Sequence, residues 1–74
     1  MKFEVVFVVI DRTEMKDMRL EVQAATEEDA IKVAKARIAE EYKKGGGEVR
    51  ETERGTLVGE FKRTFCGFNA VKKD

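Results

Sequence analysis

Cys66 is the only cysteine in a chain of 74 residues that has no histidine and no serine. An unassisted thiol is mostly protonated at neutral pH, and nucleophilic catalysis normally supplies a base beside it. Its neighbours Phe65 and Phe68 instead mark Cys66 as a small strand residue. Fifteen carboxylates are available for acid–base work, but they are interleaved with fifteen Lys and Arg side chains, as on a solvated face, and nothing singles out a pair. Asp11, Glu14 and Asp17 lie close together in the chain, yet they lack the glycine and ligand spacing of a calcium loop and fit a turn. One cysteine without histidine cannot build a four-ligand zinc site. Gly45, Gly46 and Gly47 follow a helical pattern, whereas a phosphate cradle precedes one. The expectation is a protein that is not an enzyme and carries no cofactor or metal.

Basic and aromatic residues offer a second kind of chemistry. Lys62, Arg63, Lys72 and Lys73 fall near Phe61, Phe65 and Phe68, and an open sheet bearing aromatics can stack bases. Lys62, Arg63, Phe65 and Phe68 are therefore the candidate nucleic-acid contacts. Lys32, Lys35 and Lys43 form a basic stripe on the outer face of the helix, a candidate docking surface. Against nucleic acid stand a pI near 6.3 and a net charge of zero. Domains with an electrostatic footprint for nucleic acid typically exceed a pI of about 9. Charge is uneven along the chain: residues 1–31 carry net −4 and residues 32–74 net +4. Such polarity orients a partner through its field.

The elements that would position these residues follow from period. KFEVVFVVID at residues 2–11 places Phe3, Val5, Phe7 and Val9 on one face of a strand and Val6, Val8 and Ile10 on the other. Residues 11–17 read as a polar connection. Residues 18–24 alternate, with Met18, Leu20, Val22 and Ala24 on one face, and close a hairpin. Thr26 is a helix N-cap, followed by Glu27, Glu28 and Asp29 in the first turn. Ala30, Ile31, Ala34, Ile38 and Tyr42 recur at helical spacing, and Gly45 ends the helix. Residues 48–54 read as a charged edge strand and residues 56–68 as a fourth strand. Gly59 marks a bulge or a close approach to the helix, and residues 69–74 are expected to fray. The fold class is α+β: β-β-α-β-β, a four-stranded antiparallel sheet with one helix packed on one face, in a single small domain spanning 1–74.

One helix covers one side of such a sheet. Antiparallel sheets normally keep the other side polar, yet Val6, Val8 and Ile10 fall there, with Val58 or Phe68 as neighbours. Either the C-terminal segment and long Lys and Arg stems cover the patch, or it meets a second copy or another protein. A domain this small has marginal stability, and without a disulfide or metal it relies on packing or association. The longest apolar run is far shorter than the roughly 20 residues a membrane-spanning helix needs. No signal-peptide pattern opens the chain, and with a free cysteine this points to the cytoplasm.

The plan resembles that of the small phage-encoded anti-CRISPR proteins, some of which are β-β-α-β-β domains of similar length. The shared features are MK followed by a hydrophobic strand, the strand-to-helix junction EVQAATEEDAIKVAKA, and the late hairpin VRETERGTLVGEF. Small archaeal ribosomal proteins of β-α-β type show a comparable junction, but this chain lacks their basic character. The first resemblance implies a non-enzymatic inhibitor that docks on a host nucleic-acid-processing complex and blocks it. The expected function is thus protein binding, through Val6, Val8 and Ile10 and the helix lysines Lys32, Lys35 and Lys43. The partner is a host effector complex or a second copy, and the alternative is a small nucleic-acid-binding module.

Overall fold

The computed structural model describes residues 1–73, except the side chain of Phe61. The sequence places Phe61 with Leu57 and Phe65 on one strand face directed at the helix, an expectation that lies outside the described residues. The elements are β1 (Lys2–Asp11), β2 (Glu14–Gln23), α1 (Glu27–Lys44), β3 (Arg50–Glu51), β4 (Leu57–Val58), a 3₁₀ turn (Glu60–Lys62) and β5 (Thr64–Lys72). All strand pairs are antiparallel and the sheet order is β2-β1-β5-β4-β3, with five strands rather than four.

The extra strand has a local cause. The expected continuous strand over residues 56–68 is cut by the turn at Glu60–Lys62, where Lys62 takes a left-handed φ of 62°. The chain doubles back there, so Leu57 faces Phe65 and Val58 faces Thr64. Gly59 sits under the Tyr42 ring of α1, where a Cβ would come within 2.6 Å of ring carbons. Only glycine lets strand and helix approach that closely, as the sequence pattern suggested.

At the N-terminal hairpin, β2 starts at Glu14, and the polar connection shrinks to Arg12 and Thr13. Residues 14–17 hide their strand character because they are mostly charged. Ladder hydrogen bonds come from the backbone, however, and each of these residues gains a partner on β1. The C-terminal segment does not fray over residues 69–72; it pairs in β5 with Phe3–Val6, and the Lys73 N–H donates to the Lys2 carbonyl at 2.9 Å.

A bulge decides where the aromatics go. Val6 faces Asn69 while Val8 faces Cys66, so β5 spends one residue more than β1 across Phe7. Gly67 holds φ +67° at this point, a conformation costly for residues with a Cβ. The shift brings Phe65 and Phe68, three residues apart, to the same face. Phe68 therefore stacks on Phe7 on the helix side, with ring centroids 5.1 Å apart, and does not join the open face.

Helix α1 begins as expected: Thr26 Oγ1 accepts from the Asp29 N–H at 3.1 Å, and acidic residues fill the first turn. Ala30, Ala34 and Ile38 are its buried stripe, with Ile31 and Tyr42 half-buried beside it. They close over Phe3, Val5, Phe7, Val22, Leu57, Phe65 and Ala70, which with the stripe form the core. Two alanines in the contact stripe let the helix lie close to the sheet. Fully burying one Val or Phe side chain contributes about 1.5–3 kcal/mol.

Candidate functional site

Register places the residues of the face opposite α1 in rows across the sheet. Met15, Ile10, Thr64 and Val58 make one row, and Asp17, Val8 and Cys66 the next. Arg19, Val6 and Asn69 follow, then Glu21, Glu4 and Val71. Apolar side chains thus gather toward the β1–β2 turn, while charge gathers at the other end. There Arg19 pairs with Glu4 at 3.5 Å and Lys2 with Glu21 at 3.7 Å. Val6, Val8, Ile10 and Val58 are half-buried by their neighbours, and Met15 is 69% exposed.

No described element covers this face. Cover by the C-terminal segment is excluded through Lys73, because that segment lies in the plane of the sheet as β5. At the bulge Gly67 adds no side chain against Val8; even an added Cβ there would stand 3.9 Å from Val8 Cγ2. The three residues singled out from the sequence do share one uncovered patch. Met15 and Cys66 were not among them. The signal for Met15 was its parity with Asp17 and Arg19, obscured by assigning residues 14–17 to a loop.

The helix lysines are less uniform. Lys32, Lys35 and Lys43 all lie on the flank of α1 toward β3, along two open grooves that share Val49. Lys35 is not free to bind: its Nζ bonds Glu51 Oε2 at 3.2 Å and lies 5.1 Å from the centre of the Phe68 ring. It locks α1 to the edge of the sheet. Lys32 and Lys43 remain exposed.

The candidate nucleic-acid set does not assemble into a stacking surface. Phe65 is buried beneath α1, edge-on to Tyr42 at 5.8 Å. Phe68 is held between Phe7 and the Lys35 ammonium. Arg63 bonds the Asp11 carboxylate at 2.8 Å, which raises the guanidinium pKa further, with the Tyr42 hydroxyl adding to it. Only Lys62 projects freely. Phe65 joins the core and Phe68 packs half-buried against it, because the bulge and the reversal at Glu60–Lys62 turned both inward.

On the other flank of α1 an open groove of about 600 Å³ runs beside β2, lined by Val9, Met18, Leu20, Ile38 and Tyr42 with Arg37 at its rim. Among the described residues no three His, Cys, Asp or Glu side chains gather as metal ligands. Among the described residues no helix is long and apolar enough to cross a membrane. No protein-family model, curated protein or solved structure matches this chain.

Proposed function

We propose that this chain is a non-enzymatic binding module that docks another protein on the uncovered face of its sheet. The observation that carries the reading is the apolar patch of Val6, Val8 and Ile10, extended by Met15, Val58 and Cys66, with no segment among the described residues laid over it. A face not needed for the core has no folding reason to be apolar, and contiguous apolar patches on small proteins mark interfaces. The partner that fits presents apolar side chains to this patch and charged ones to the Lys2, Glu4, Arg19 and Glu21 end. In keeping with the resemblance to anti-CRISPR proteins, the first partner class to test is a bacterial CRISPR nuclease complex, with this chain as a phage-encoded inhibitor acting in the cytoplasm.

Adding the purified chain to a nuclease reaction tests this directly. Stoichiometric inhibition that Val8→Lys abolishes and Lys32→Glu preserves supports docking by the sheet face. Lysine at position 8 faces Asp17 and keeps the strand charge-matched, so loss of inhibition reports lost contact. Inhibition that survives Val8→Lys removes the face from the reading. No inhibition across nuclease types removes the partner class.

A further inference from the structure

The two edges of the sheet differ. One is β3, two residues long; the other is β2, ten residues long and paired on one side only. The N–H of Ala24 donates to the Met1 carbonyl at 2.9 Å, so even-numbered residues along β2 spend their backbone groups on β1. Met15, Asp17, Arg19, Glu21 and Gln23 then point theirs outward. One of these groups is occupied: Arg37 Nη1 donates to the Glu21 carbonyl at 2.9 Å, which closes that end of the edge. The free stretch runs from Met15 to Arg19.

An open edge of this length is a template for another strand. Two copies pairing antiparallel about a two-fold axis can meet only in registers that place a side chain opposite its own copy, which makes the charge pattern decisive. Centring on Asp17 opposes two aspartates, and centring on Arg19 opposes two arginines. Centring on Leu20 matches Arg19 with Glu21 but needs the Glu21 carbonyl that Arg37 holds. Centring on Met18 sets Asp17 opposite Arg19 twice and draws its central hydrogen bonds from backbone groups that are free. Met18 itself is 42% exposed at the mouth of the apolar groove beside α1, where a second Met18 would continue that lining.

We infer that β2 pairs with β2 of a second copy, antiparallel about Met18, to form one sheet of ten strands, five from each copy. Both helices lie on one side of that sheet and both apolar patches on the other. The backbone pairing uses the edge of the sheet and not the apolar patch, so the inference does not rest on what docks there, although its charge pairs are made by Asp17 and Arg19 on the same face.

The test is charge reversal with exchange, read by light scattering over a dilution series. The native chain should be dimeric at high micromolar concentration. Asp17→Arg and Arg19→Asp should each weaken self-association about tenfold or more, since each opposes like charges twice. An equal mixture of the two variants should dimerise again, because the reversed pairs then match. In a Cys66→Ala background, Met18→Cys should form a disulfide with its own copy and Leu20→Cys should not, since a side chain directly across a non-hydrogen-bonded pair lies within bridging distance. Val58→Glu, on the open face at β4 and opposite Arg50, should leave the dimer intact. A native chain that is monomeric throughout, a mixture that stays monomeric, a cross-link through position 20 alone, or a dimer split by Val58→Glu would each overturn the inference.

Discussion

Val5 and Val8 stand three residues apart on β1 and belong to opposite faces. Val5 has no exposed surface beneath α1, between Leu20 of β2 and Ala70 of β5. Val8 stands between Asp17 and Cys66, half-buried by strand neighbours alone. The strand supplies both with the same kind of side chain, so the difference comes from what lies opposite. On the helix side hydrophobicity is spent on folding. On the bare side it remains for association, and the two faces should respond to substitution in opposite ways.

The largest effect should come from placing a charge on the covered face. Val5→Asp buries an unpaired carboxylate and should cost more than about 4 kcal/mol, most of the stability of so small a domain. Circular dichroism should find it unfolded at room temperature; a folded Val5→Asp would break the distinction between the faces. Gly59→Ala comes next, at about 1–3 kcal/mol in urea denaturation, because a methyl group there collides with the Tyr42 ring. Tyr42→Ala should remove most of that penalty, and a penalty that persisted would mean the ring is not its source.

Lys35→Ala should cost about 1 kcal/mol by losing its bond to Glu51 and its place over Phe68. Lys32→Ala, on an exposed site, should stay within about 0.5 kcal/mol. Equal values for the two lysines would mean that Lys35 does not anchor the helix. Val8→Lys should also remain within about 1 kcal/mol while abolishing docking, the reverse of the Val5 result. Smallest is a gain: Arg12 holds φ 61° at the hairpin turn, and Arg12→Gly should stabilise by about 0.5–1 kcal/mol, seen as a higher urea midpoint.

Much of this molecule was legible before its structure. The helix was bounded at Thr26 and Gly45 because capping chemistry and 3.6-residue spacing are local, written within a few residues of where they act. The two faces of β1 were legible for the same reason, since alternation is a property of the strand itself. The uncovered patch followed from counting: one helix covers one face.

What sequence alone could not decide depended on residues distant in the chain. The strand expected over residues 56–68 breaks because Gly59 must pass under Tyr42, seventeen positions earlier, and then reverse to pair Leu57 with Phe65. Phe68 turns inward because Gly67 bulges where β5 meets Phe7, sixty positions earlier. With that turn the aromatic surface for bases disappeared, and Lys35 was drawn from the basic stripe onto a ring. Period and capping energies act over one turn or one pleat, so residue types determined the helix, the first strand and its two faces. Register, strand order and the free edge at β2 are set by contacts between distant segments, and only the tertiary structure fixed them.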